Sequence, residues 1–252
     1  MSGQYVTGPD PLIGLLLPDG VAAAENFGPP PQLPAGEVPF PEEREAVAKA
    51  VDKRKREHFD VRNCARRALA ELGLPPVPIL NGPHREPLWP DGVIGSMTHC
   101  DGYRGAAVAR AGRVVGVGVD AEPHGPLPDG VLGVVTRPEE REHLDKVHEA
   151  LPAVHWGRVL FSAKESVYKA WYPLTQCWLG FEQAALEFET DPGFDSDFDP
   201  DADPDRVISG SFTAQLFRPE LVLDGRQVDQ VSGRWLVGKG MVLTAVTLVG
   251  TS

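Results

Sequence analysis

The spacing of apolar and polar positions divides the chain into an irregular start, a long helical stretch, a cluster of short strands, two helices and a strand-rich end. Residues 1–40 carry Pro29-Pro30-Pro31, Pro34 and Pro39 among scattered glycines, so this lead-in is expected to hold little regular structure. Pro41 opens a helical pattern with Glu42 and Glu43 in its first turn. Apolar positions then run from Val47, Ala50 and Val51 through Val61, Cys64, Ala65, Ala68, Leu69 and Leu72, up to Gly73 and Pro75. The length of that span predicts a break near His58 to Asp60. Residues 93–120 read as a β-meander, with runs Val93–Met97, Gly105–Ala109 and Val114–Val119 separated by Asp101-Gly102 and Ala111-Gly112. Thr136-Arg137-Pro138-Glu139 has capping-box spacing and predicts a helix to about His148. A second helix is predicted over Ala153 to Tyr172, stopping at Pro173. Strands follow at Ala185–Glu189, Val207–Phe217, Arg234–Val237 and Met241–Val249.

Strands interspersed with helices, without regular βαβ alternation, predict an α+β fold. A faint echo between Gly112-Arg113-Val114-Val115-Gly116 and Gly233-Arg234-Trp235-Leu236-Val237-Gly238 is weak evidence for two related α+β halves.

A chain of 252 residues with 42% apolar residues can bury a sizeable core. Its early apolar run, Leu12–Leu17, is too short to span a bilayer and has no basic residues before it, so the expectation is a soluble, cytoplasmic protein without membrane contact. Cys64, Cys100 and Cys177 are widely spaced and read as inert thiols. Of the net charge of −12, eight charges fall in the single run Glu189 to Asp205. The remaining body is only mildly acidic, and its field has the wrong sign for nucleic acid. The alternating aspartates from Asp195 to Asp205 resemble a calcium loop but lack its central glycine and closing glutamate, so a disordered acidic loop is expected.

Two stretches hold the candidate chemistry. In Gly116-Val117-Gly118-Val119-Asp120-Ala121-Glu122 the period of two places Asp120 and Glu122 on one face of a strand. In Phe161-Ser162-Ala163-Lys164-Glu165-Ser166-Val167-Tyr168-Lys169, Glu165 and Lys169 stand one helical turn apart. Three carboxylates suit a hard divalent cation, and lysines neutralise phosphate charge, which is what phosphoryl-type transfer requires. Taken singly, each stretch also fits a solvated strand edge or helix face. His99, beside Ser96 and Thr98, fits either a phosphate contact or a histidine satisfied by backbone. A Ser-His nucleophile is disfavoured because no Gly-x-Ser-x-Gly elbow frames a serine. Lys53-Arg54-Lys55-Arg56 with Arg62, Arg66 and Arg67 form a basic helical cluster from which a subset can grip a terminal phosphate.

The order basic helix, Ser96-x-Thr98-His99, Gly118-x-Asp120-x-Glu122, Lys164-Glu165-Ser166-x-x-Lys169 resembles the larger, single-chain, Sfp-type class of 4′-phosphopantetheinyl transferases, and actinobacterial members in particular. The resemblance runs from about Glu43 to Leu248. It implies two similar α+β halves packed as a pseudo-dimer, written here as 41–120 and 121–252, with the acidic loop 191–205 in the second. It implies a monomer that moves the phosphopantetheine arm of coenzyme A to a serine of an apo acyl or peptidyl carrier protein, releasing adenosine 3′,5′-bisphosphate. The metal ligands implied are Asp120, Glu122 and Glu165, for Mg²⁺ or alternatively Mn²⁺. Glu165 is implied as the base, directly or through a metal-bound water, and Lys169 as stabiliser of the leaving phosphate. Coenzyme A contacts are implied for Thr98, His99, Asp120, Lys164 and Lys169, with Arg54 and Arg62 near the 3′-phosphate. Asn81 to Arg85, including His84, would form the loop by the adenine, and Tyr168 and Trp178 would line the pantetheine arm. The chain departs from the family in having Phe161 in place of Trp, and Arg85-Glu86-Pro87 where many relatives have Gly-Lys-Pro. Two rival readings are a metal-dependent nuclease or phosphohydrolase, and a non-catalytic module that binds coenzyme A or docks carriers.

Overall fold

The computed structural model describes residues 4–5, 11–30, 40–193, 198–200, 203 and 205–250. In chain order the elements are β1 (Gln4–Tyr5), a 3-10 helix at Leu12–Leu16, β2 (Val21–Phe27), α1 (Pro41–Ala46), α2 (Asp52–Glu71), β3 (Leu80–Asn81), β4 (Pro87–Leu88), β5 (Val93–Cys100), β6 (Tyr103–Arg110) and β7 (Val114–Pro123). There follow α3 (Val131–Val135), α4 (Pro138–Ala150), α5 (Trp156–Thr175), a 3-10 turn at Phe181–Gln183, β8 (Ala184–Thr190), β9 (Arg206–Leu216), β10 (Val222–Leu223), β11 (Arg226–Gln227), β12 (Gln230–Gly238) and β13 (Met241–Val249). The fold is α+β, and no helix among the described residues is long and apolar enough to cross a membrane.

Two sheets organise these elements. The first is antiparallel, in the order β2-β6-β5; the second runs β1-β9-β12-β13-β7, with β8 also on β9. Alternation along each strand builds three apolar layers. On β6, Ala106 and Val108 face α2, where they meet Cys64, Ala65, Ala68 and Leu69. Tyr103, Ala107 and Ala109 of the same strand face the second sheet, where they join Val117, Val119 and Ala121 of β7 and Leu243 and Ala245 of β13. The far side of the second sheet, with Trp235, Val237, Val242 and Val246, packs on Val159, Leu160, Ala163, Val167 and Trp171 of α5. The order is therefore helix, sheet, shared core, sheet, helix.

Several expectations are corrected by this arrangement. The lead-in is not irregular throughout: Ala22, Ala23 and Ala24 make β2 a regular partner of β6, and Leu12, Ile13 and Leu16 are buried in the shared core. Glu25 fixes them, its carboxylate accepting hydrogen bonds from Leu12 N, Ile13 N (3.1 Å) and the Tyr103 hydroxyl (2.8 Å). The helical stretch breaks between Ala46 and Asp52, not at His58 to Asp60, where α2 runs unbroken with its buried polar side chains bonded, Arg62 to His58 and Ile79 O and Asp60 to Arg104 of β6. The capping box of α4 closes one residue later than its spacing suggests, with Arg137 N donating to Glu140 Oε2 at 2.7 Å. α5 begins at Trp156 and carries Pro173 inside its last turn, ending at Thr175. In the acidic run, residues 194–197, 201, 202 and 204 lie outside the described residues; among the rest, Asp191 pairs with Arg234 of β12, Phe198 is buried in the core and Asp203 N donates to Asp199 O at 3.2 Å.

The meander is also corrected. β7 pairs with β13, not with β6, and so belongs to the second sheet. The Gly-Arg echo consequently relates two strands of one sheet, β7 and β12, separated by β13. As an edge strand β7 has outward N–H groups that need partners. β5 supplies them with side chains: Val119 N donates to Ser96 Oγ and Ala121 N to Thr98 Oγ1, each at 3.1 Å. The two sheets are stitched by hydroxyls.

The opposite face of β7 explains its glycines. A Cβ on Gly118 would stand 2.0 Å from Ser166 O and 2.6 Å from Ala170 N, and one on Gly116 would crowd Leu248, Ala170 O and Leu174. Strand backbone thus lies against helix backbone. Gly118→Ala is expected to destabilise the protein by roughly 2–4 kcal/mol, because neither backbone can yield without moving a whole element. In thermal unfolding this lowers Tm by roughly 5–10 °C for a chain of this size. Gly125→Ala, where an added Cβ meets nothing within 4 Å, is the matched control and leaves Tm unchanged.

Candidate active site

Beyond Gly118 the same face of β7 presents Asp120 and then Glu122, and the antiparallel course of α5 brings Lys169, Glu165 and Arg158 alongside. Arg158, Glu165 and Lys169 recur at helical spacing and share one face. Asp120 is buried; its Oδ1 accepts hydrogen bonds from Lys169 Nζ (2.7 Å) and Thr98 Oγ1 (3.2 Å). Lys169 also donates to Val119 O at 3.1 Å. Glu122 Oε2 accepts from Arg158 Nη1 at 2.9 Å. The Glu165 carboxylate makes no hydrogen bond or ion pair with any other described residue, although Glu165 sits within α5.

Charge is crowded here. Burial raises the pKa of Glu165, the Asp120 and Glu122 carboxylates raise it further, and Lys169 offsets part of the rise. Glu122 is raised by burial and then by Asp120, against the pull of Arg158. Asp120 Oδ2 is buried without a hydrogen-bond partner. An orphaned buried carboxylate oxygen beside two further carboxylates is a donor set that fits a hard divalent cation. Among the described residues no three such side chains yet converge on one point, since Lys169 holds Asp120 and Arg158 holds Glu122.

On the β5 side, His99 meets Arg54, whose guanidinium donates to Nε2. Burial first, then the charges of Arg54, Lys169 and Arg62, push the His99 pKa down to about 4, so the ring is neutral in a strongly positive setting. Such a potential suits an anion. From Glu165 and Lys169 a cleft of about 500 Å³ runs along α5 past Tyr168, Tyr172 and Gln176, walled opposite by His84, Arg85 and Trp89.

Comparison with known proteins places this geometry. Residues 42–109 match the 4′-phosphopantetheinyl transferase N-terminal domain, and residues 116–220 match the 4′-phosphopantetheinyl transferase superfamily. The chain is 50% identical to the 4′-phosphopantetheinyl transferase Svp of Streptomyces mobaraensis, over 94% of this chain and 89% of Svp. It belongs to the 4′-phosphopantetheinyl transferase family. It is also 45% identical to PptT of Mycobacterium tuberculosis, over 94% of this chain and 98% of PptT, and 47% identical to Npt of Nocardia iowensis, over 93% and 99%. Both of these are named 4′-phosphopantetheinyl transferases, and the chain is an enzyme of this type.

The family motifs divide when set on the structure. Asp120, Glu122, Glu165, Lys169, Thr98 and His99 gather at one end of the cleft, with Arg54 beside His99. His84 and Arg85 lie in the cleft wall, Arg85 with a left-handed φ of 71°, and Tyr168 lines it. Trp178 is 71% exposed and meets the Tyr168 ring at a tilt of 57° with 5.0 Å between centroids, beside the cleft and not among the residues that line it. Arg62 and Asn81 are bonded to each other: Arg62 is buried, donating to Asn81 Oδ1 (2.6 Å) and Ile79 O (2.6 Å), so the pair ties residues 79–81 to α2. Ser96 serves the sheet contact, its oxygen accepting from Val119 N. Arg158 escaped sequence reading, although its spacing of seven residues from Glu165 on the same helix was a usable signal.

Lys164 departs furthest. Its side chain turns away from the cleft and is 2% exposed, and Nζ donates to Glu140 Oε2 (2.7 Å), Val135 O (2.8 Å) and Phe181 O (2.8 Å). Glu140 in turn accepts from Leu186 N at 2.8 Å. All three ammonium hydrogens are used, so the residue anchors α3, α4 and β8 to α5 and has no donor left for a phosphate. Lys164→Met is expected to destabilise the fold by about 3–5 kcal/mol, since it strands Glu140. Calorimetric titration with coenzyme A, at a temperature where the variant is folded, should give wild-type affinity; a tenfold loss would restore the phosphate role.

Proposed function

We propose that this transferase moves the phosphopantetheine arm of coenzyme A to a serine hydroxyl of an apo acyl or peptidyl carrier protein, in a Mg²⁺-dependent reaction that releases adenosine 3′,5′-bisphosphate. The observation that carries the reading is the meeting of Glu165 and Lys169 with Asp120 at the mouth of the cleft between the halves. Asp120, Glu122 and Glu165 would hold the cation, which when bound neutralises charge on the pyrophosphate. The neutral His99 and the Arg54 guanidinium supply donors and positive potential for the phosphates.

Glu165 is the base of this reading. Its carboxylate has no other partner, and its raised pKa suits proton transfer from an alcohol better than an ordinary glutamate would. The serine proton passes to Glu165 as the serine oxygen bonds to the phosphorus that bears the pantetheine arm. The bond from that phosphorus to the bridging oxygen breaks, and the electron pair leaves on the adenosine bisphosphate. Lys169 turns a hydrogen bond from Asp120 to the departing phosphate, a group whose charge grows during the step.

Incubation of an apo carrier with coenzyme A and Mg²⁺ should add one phosphopantetheine arm, read by intact-protein mass. Glu165→Gln is expected to lower kcat by roughly 10²–10⁴-fold, the range for losing a general base. Full turnover by that variant would remove Glu165 from the chemistry. Metal-dependent cleavage of a phosphoester without transfer to protein would favour the phosphohydrolase reading instead.

A further inference from the structure

Of the three carboxylates at the site, only Glu122 is held by a partner that cannot follow it. Lys169 engages Asp120 through Oδ1 and leaves Oδ2 open, and Glu165 is unpaired. Glu122 is bonded by Arg158, whose remaining nitrogens are fixed elsewhere: Nε donates to Gly125 O at 3.2 Å and Nη2 to Pro126 O. The guanidinium is thus clamped to the segment that follows β7, independently of Glu122. Its side chain is 16% exposed and that of Glu122 20%, so the pair is largely shielded from solvent.

We propose that Arg158 is the built-in competitor of the divalent cation for Glu122, and that it sets the cation affinity of the site as a positioning residue. This rests on the reading that Asp120, Glu122 and Glu165 hold the cation. To join the other two carboxylates, Glu122 must leave Arg158, and the clamp keeps that positive charge in place after it has left. Binding of the cation is weakened by the pair that must open and by the charge that remains. The arrangement keeps three crowded carboxylates compatible with folding before a cation arrives, and favours release of Glu122 only when a doubly charged ion is offered.

The test is Mn²⁺ binding to the full chain without coenzyme A, read from the electron paramagnetic resonance of the free ion. Arg158→Gln should tighten binding about fivefold, the equivalent of one partly shielded ion pair. Most of that gain should vanish in the Glu122→Gln background, and Asp120→Asn should weaken binding in every background. Unchanged or weaker binding by Arg158→Gln, with Asp120→Asn still weakening it, overturns the competitor role and leaves the cation site standing. Wild-type binding by both Asp120→Asn and Glu122→Gln overturns the cation site, and the competitor role with it. Should Arg158→Gln fail to fold, Arg158→Lys decides: a single-point donor without the double carbonyl clamp should tighten binding about twofold, and equal or weaker binding overturns the proposal.

Discussion

The arrangement depends on one close approach, that of the β7 backbone to the α5 backbone at Gly118. A strand and a helix normally stand about 10 Å apart, separated by two layers of side chains. Here one layer is missing, and Ser166 O and Ala170 N lie where a Cβ would be. That proximity lets a short aspartate on the strand reach a lysine ammonium on the helix directly. It also dictates where chemistry can begin: glycine is required while the two backbones touch, and side chains become possible again at Asp120.

Charge inside the protein falls into two kinds with different partners. Glu43 with Arg66, Asp60 with Arg104 and Glu140 with Lys164 are closed pairs, buried on both sides and joined to backbone groups around them. They fix elements to one another: Ile79 N donates to Glu43, Arg104 donates to Gly28 O, and Leu186 N donates to Glu140. The carboxylates at the cleft are under-compensated by comparison: Lys169 pairs with Asp120 and Arg158 with Glu122, while the Glu165 carboxylate has no partner among the described residues. The contrast separates scaffold from site more clearly than residue type does, since Lys164 and Glu165 are sequence neighbours on opposite sides of that division.

How much of this was legible in the sequence follows from the range of the forces involved. Asp120 and Glu122 on one face, and Glu165 and Lys169 one turn apart, follow from local periodicity, and the structure keeps both. Their meeting is not local; its only trace was Gly116 and Gly118, which periodicity reads merely as small residues between valines. Lys164 could not be placed from spacing, because a lysine on an aromatic helix face is equally a surface group or a buried anchor until Glu140 is known to face it. The lead-in was misread for its prolines. Its strand contains few large apolar residues, and Glu25, a residue ordinarily counted as polar surface, is what fastens it. The family motifs conveyed what the pieces were for, while the pairing of Arg54 with His99 and the burial of Arg62 against Asn81 required the coordinates.

The pairing of β7 has a consequence for the order in which the protein becomes competent. Asp120 and Glu122 emerge near the middle of the chain, but the strand that pairs with their backbone among the described residues is β13, with Thr244 opposite Asp120 and Val242 opposite Glu122. The strand that fixes the acidic pair is thus made more than a hundred residues later, and its arrival closes a long loop before any contact is gained. A growing chain on the ribosome therefore holds the ingredients of the site well before it holds the site.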